Sequence, residues 1–187
     1  MTPTRAFLNR DRAISSKSVL GAPRPEFGPP DSAIDIKFEN GRPSYRPNEV
    51  QKDVIKEHLV ARGLPTKQVD ELKFVSGLDD DAGIPTWLGY HGGGEAVTQG
   101  STVYVNPEKF IDYAGFYSQD PFEEAYHSAD FAASGGASFY SPYIAGIVGG
   151  GLSGKGVYQG IPSEAFAKGA AKEMYRSYRY RAGDEGK

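Results

Sequence analysis

The amino-acid sequence predicts an α+β fold: three principal helices with a small antiparallel sheet. Three observations carry this. Segments 47–63, 120–134 and 162–181 open on cap or proline signals and continue with helix-forming residues, the first with a clear apolar stripe. Between Leu72 and Val105 the chain instead reads as three short β-rich runs separated by Gly and Asp clusters. Composition agrees, with 39% hydrophobic residues, 12 Tyr and 10 Phe to fill a core against 24 Gly and 13 Pro to turn the chain. At 187 residues one domain can bury a sufficient core without covalent staples. Cysteine is absent, which excludes disulfides, thiolate metal sites and cysteine nucleophiles, so any metal must be held by His, Asp or Glu.

Taken in order, residues 1–46 carry six prolines and no sustained period, and read as a Pro-rich arm or linker. Within it Ala33 to Phe38 alternates and can add one edge strand before Asn40-Gly41 turns it. Residues 47–187 read as the folded α+β domain. Its first helix is capped by Asn48 with Gln51 three residues on, carries Val50, Val54, Ile55 and Leu59 as its apolar stripe, and stops at Gly63 and Pro65. The strand-like runs are Leu72–Val75, Thr86–Tyr90 and Ser101–Val105. The second helix has Asp120 as its expected N-cap, Pro121 in its first turn and Gly135-Gly136 at its end. Residues 135–160, rich in Gly, Ser and Tyr, read as a long loop whose stretch 144–156 can serve as a lid. A last helix follows Pro162-Ser163 and fades near Arg181.

Charge narrows the function classes. Residues 47–136 hold 15 acidic and 6 basic side chains, an imbalance that favours cation binding and speaks against a nucleic-acid backbone. The interleaved Tyr and Arg of residues 174–181 suit nucleic acid less well than a helix that packs its tyrosines and solvates its arginines. No apolar run approaches a membrane span, and the N-terminus lacks the pattern of a secretory signal. The expected location is the cytoplasm of the producing cell, with export by a signal-less route left open.

The chemistry concentrates on the second helix. Positions 123, 127, 130 and 134 share one face, which reads Glu, His, Asp, Ser. The five residues Glu123-Glu124-Ala125-Tyr126-His127 correspond to the metallopeptidase pattern H-E-x-x-H, where residues at i and i+4 hold a metal and the intervening Glu acts as general base. Each acid also has a structural reading: Glu123 as capping-box partner of Asp120, Glu124 as a favourable charge at a helix N-terminus, His127 as a core histidine.

With Val103-Tyr104-Val105-Asn106-Pro107 before this helix and Pro162-Ser163-Glu164-Ala165 after it, the chain resembles, over residues 47–180, the zincin-like metallopeptidase domains of bacterial polymorphic-toxin, Rhs and injection-system cargo proteins. The resemblance implies a zincin-like fold and a metal-dependent peptidase of a toxin or effector. Metal ligands would be Glu123, His127 and Glu164, and the catalytic base Glu124. A protein or peptide would be the substrate, and an immunity or delivery protein the partner. The departure is Glu123 where the family has its first histidine. A set of two carboxylates and one imidazole still suits Zn2+, is harder and more anionic, and moves the preference toward Mn2+. It also weakens the metal as a Lewis acid. A catalytically inactive scaffold that binds no metal and serves as a binding or assembly module is the alternative.

Other motifs are weaker. Residues 149–156 approach a phosphate-binding loop, but Gly156 stands where Ser or Thr would hold Mg2+. His91-Gly92-Gly93-Gly94-Glu95 has no accompanying nucleophile elbow and reads as a hairpin, with His91 a spare ligand. His58 lies on a surface helix.

Overall fold

The computed structural model describes residues 34–79, 83, 86–87, 90, 94–153 and 162–182, with backbone only for 146–153 and 162. It opens on a hairpin of β1 (Ile36–Glu39) and β2 (Arg42–Tyr45). Asn40 and Gly41 form the turn with φ of 50° and 77°, the pair of positive values that a two-residue type I′ turn requires and that Asn-Gly supplies with least strain. The expected edge strand is therefore present. It lies in the stretch read as an arm and brings β2 with it, which sequence patterning missed because Pro43 interrupts the run. Pro43 lacks an N–H, but the ladder from β2 to β3 (Lys73–Ser76) involves only Ser44 and Tyr45.

β4 (Ala96–Gln99) and β5 (Thr102–Val105) complete a five-stranded sheet in the order β1-β2-β3-β5-β4. The sheet is mixed, not wholly antiparallel: β5 inserts between β3 and β4, parallel to β3 and antiparallel to β4. The run Thr86–Tyr90 is not a strand, because Thr86, Trp87 and Tyr90 are helical. Their β propensity is overridden by context: buried Thr86 is hydrogen-bonded to Gln99 and Tyr140. β4 takes the edge position instead.

The α-helices with defined bounds among the described residues are α1 (Glu49–Val60), α2 (Phe110–Ala114), α3 (Asp120–Ser134), α4 (Gly136–Ser153) and α5 (Pro162–Arg181). α1 carries the expected Asn48–Gln51 capping box. α4 corrects the loop expected at 135–160, since residues 136–153 are helical despite four glycines after Gly136 and an interior Pro142. Packing overcomes the poor propensity there. Buried Phe139 meets Phe131 of α3 edge-on at 5.4 Å and the His127 ring at 5.9 Å. Among the described residues four long helices thus replace the expected three. The lid stretch 144–153 and residues 149–153 of the phosphate-loop motif lie in α4, while 154–156 fall outside the described residues.

The core lies where α1, α3 and α5 meet the sheet. Phe116 stands at its centre, 4.9 Å from Phe122, 5.6 Å from Phe74 and 6.1 Å from Tyr178 by ring centroid. α3 and α5 pack through Phe122 on Tyr175 and Tyr178, and both helices also bury small residues: Ala125 and Ala129 on α3, Ala167, Ala170 and Ala171 on α5. Small side chains let helix backbones approach closely, and His127 in the middle of α3 comes within reach of Glu164 in the first turn of α5. Tyr178 is buried while Arg181 pairs with Glu57 and the Arg179 guanidinium lies 5.9 Å from the Tyr175 ring centre, but Tyr180 is 69% exposed, so the end of α5 packs its tyrosines only in part. No described helix is long and apolar enough to cross a membrane.

Candidate metal centre

α3 begins one residue earlier than its cap signal suggests. Asp120 is the first helical residue, Gln119 is the N-cap without a side-chain bond, and the Asp120 carboxylate accepts from the Ser118 hydroxyl at 2.7 Å. The capping box between Asp120 and Glu123 does not form. Glu123 and His127, one turn apart, instead point the same way, and Glu164 in the first turn of α5 meets them from the side. One potential ligand atom from each lies within 4.8 Å of the others. His127 Nε2 stands 3.5 Å from Glu164 Oε1 and 4.0 Å from Glu123 Oε1. A tetrahedral zinc with bonds of about 2.0–2.1 Å holds its ligands roughly 3.3 Å apart. The first spacing is already near that value, and the second needs only a small rotation of a Glu side chain.

The three side chains are 7%, 12% and 14% exposed for His127, Glu123 and Glu164. That burial has electrostatic consequences. Glu123 is pushed up to about 7, by desolvation first, with the charge of Lys168 opposing and those of Glu164 and Asp120 adding. The His127 imidazole is shifted downward by burial against the pull of Glu164 and Asp130, which keeps it neutral and its nitrogens free to ligate. His127 Nδ1 is buried and has no hydrogen-bond partner. The carboxylates crowd the other nitrogen, so the ring presents Nε2 to the cluster and leaves Nδ1 unsatisfied behind it.

Glu124, on the adjacent face of α3, reaches toward β4, where the Thr98 hydroxyl donates to its carboxylate. Burial, opposed by that bond and assisted by Glu123, Glu164 and Asp120, pushes its carboxyl up to about 8. All four predicted residues, Glu123, Glu124, His127 and Glu164, line one cavity of about 330 Å³. Much of its remaining wall comes from β4, through Ala96, Val97 and Thr98, and from α4, through Phe139, Tyr140, Tyr143 and Ile144, with Tyr113 of α2 also on the lining. Lys168, one turn beyond Glu164, is also on the lining.

His91 falls outside the described residues. His58 is remote from this cluster, with Nε2 2.9 Å from Ser177 Oγ between α1 and α5. Arg62 lies 3.5 Å from its Nδ1, where a Ser-His-acid triad requires a carboxylate, so this pair does not form an activated nucleophile. Sequence reasoning missed Thr98, Tyr140 and Tyr143. For the two tyrosines a signal existed in their i, i+3 spacing, but it has meaning only on a helix.

No protein-family model matches the chain, and neither a curated protein nor a solved structure matches it. The residues of the cavity therefore carry the functional argument alone.

Proposed function

We propose that this chain is a divalent-metal-dependent peptidase of zincin-like type, with Glu123, His127 and Glu164 holding the metal and Glu124 as general base. One observation supports the reading above others: three buried potential ligands from two helices converge beside a fourth, separately held carboxylate in a single cavity. The donor set fits a cation. Two largely buried carboxylates and a neutral imidazole converge with one lysine, Lys168, on the same lining, and Zn2+ and Mn2+ both accept such a donor set.

When bound, the metal would supply Lewis-acid polarisation of the scissile carbonyl and acidify the attacking water. The chain's own residues do the rest. Glu124 takes the proton from that water as its oxygen attacks the carbonyl carbon, and returns it to the amine nitrogen as the C–N bond breaks. A carboxyl pushed up to about 8 is too basic to be ionised at neutral pH, and a divalent charge nearby lowers it toward the operating range. Thr98 holds this carboxylate in place through its hydroxyl. The substrate has a backbone to pair with. In the β4–β5 ladder the Asn106 N–H bonds Glu95 O, so Glu95, Val97 and Gln99 face β5 while Ala96 and Thr98 turn their amides outward, where the Tyr140 hydroxyl already donates to Thr98 O at 3.0 Å and a substrate strand would have to share or displace that bond. An extended peptide adds there as a strand. A bacterial toxin or effector role is consistent with this chemistry.

The test is Glu124→Gln, assayed on unfolded-protein and peptide substrates after zinc or manganese loading. Turnover should fall by about 100- to 10,000-fold with metal content unchanged. Full activity in the variant would remove Glu124 as the base.

A further inference from the structure

Two of the three proposed ligands are pre-arranged by one helix turn; the third is not. Glu164 arrives on another helix, and a glutamate side chain has three torsions to fix before its oxygen can serve. The contact that fixes it comes from α4. The Tyr143 hydroxyl donates to Glu164 Oε1 at 2.7 Å, the same oxygen that lies 3.5 Å from His127 Nε2. Tyr143 is itself held by packing: its ring meets the His127 ring at 6.4 Å and 80°, and Phe139 at 5.4 Å. Phe139 in turn packs on the His127 ring at 5.9 Å. One aromatic pair thus touches the imidazole of one ligand and bonds the carboxylate of another.

We infer that Tyr143 is a positioning residue for the metal site: its hydroxyl fixes the Glu164 carboxylate and its ring fixes the His127 imidazole, so that α4 completes a centre whose ligands all come from α3 and α5. This rests on the metal-binding reading above. Groups that orient metal ligands in this way typically govern affinity by about 10- to 100-fold.

The experiment is calorimetric titration of the full chain with zinc alone, in five proteins: wild type, Tyr143→Phe, Glu164→Ala, the double variant and a Tyr175→Phe control. Tyr143→Phe keeps the ring and removes only the hydroxyl, so zinc affinity should fall about 10-fold or more while metal-free melting stays near wild type. In the Glu164→Ala background the same change should have little further effect, because the hydroxyl acts through Glu164. Tyr175→Phe, which removes a phenol bond of similar length to Tyr117 O on the same helix as Glu164, controls for general loosening and should leave zinc affinity unchanged. Equal zinc affinity in wild type and Tyr143→Phe overturns the inference, as does an undiminished loss in the Glu164→Ala background. No zinc binding by wild type is a different result, which overturns the metal reading itself.

Discussion

Two of the buried polar clusters among the described residues differ in whether the chain satisfies them. At the junction of β2, α1 and α5, fully buried Gln51 is satisfied by the chain alone. Its side-chain oxygen accepts from the Asn48 amide at 2.8 Å and the Tyr45 hydroxyl at 2.6 Å, and its amide nitrogen donates to the Tyr178 hydroxyl at 3.4 Å. In the cavity of α3, α4 and α5, by contrast, Glu123 and Glu124 are pushed up toward neutrality, and His127 Nε2 faces Glu164 Oε1 at 3.5 Å and Glu123 Oε1 at 4.0 Å. Buried polar groups are normally paired by the fold that buries them. The first cluster is a structural joint. The second has the character of a site whose missing partner comes from outside the chain.

The largest expected effect tests the first half of this contrast. Gln51→Leu leaves the Asn48 amide and the Tyr45 hydroxyl without their acceptor in the core, and should destabilise folding by about 3 kcal/mol. For a chain of this size that is a fall of roughly 6–12 °C in melting temperature, with no loss of metal binding. A variant as stable as wild type would erase the distinction between the clusters.

His127→Leu should do the opposite. Removing an imidazole with an unsatisfied buried nitrogen should stabilise the metal-free protein by about 1–2 kcal/mol, while abolishing metal binding. Thermal unfolding with chelator present checks the sign, and a large destabilisation would make His127 a structural residue like Gln51.

The smallest effect is on pH. Glu123 and Glu124 have folded-state values of about 7 and about 8 against an ordinary 4.5, so the folded chain holds protons that the unfolded chain releases. Stability from such groups is full below about 4.5 and is lost as pH rises through 7 and 8. His127, shifted downward, is neutral in both states above pH ~6.5 and drops out of that window. Metal-free protein should therefore lose about 1 kcal/mol between pH ~7 and ~8, and metal should restore it. A flat melting profile over that window would mean the carboxylates are not strained.

The same contrast explains what was legible in the sequence. The Asn48–Gln51 box and the Glu123–His127 pair are set by i+3 and i+4 spacing within one helix, which a linear reading recovers. Glu164 was found only because it opens a second helix in the expected order. α4 was hidden, since Gly, Ser, Tyr and an internal Pro142 disfavour a helix until Phe139 has a partner in α3 to pack on. With α4 unseen, Tyr140 and Tyr143 could not be placed. The mixed sheet was hidden for a related reason: short strands such as Ala96–Gln99 take their identity from the ladder they join. Asp120 shows the reverse error, a good cap signal at a residue that became the first of the helix, releasing Glu123 for the cavity.

The central claim is that the second cluster is completed by a cation, and zinc or manganese titration of chelator-treated, untagged protein beside His127→Leu tests it most directly. About one equivalent bound by wild type, with protons released as Glu123 is forced to ionise, and none bound by the variant, is the predicted result. A folded wild-type protein that binds neither metal would contradict the account and leave the cavity without the partner its chemistry demands.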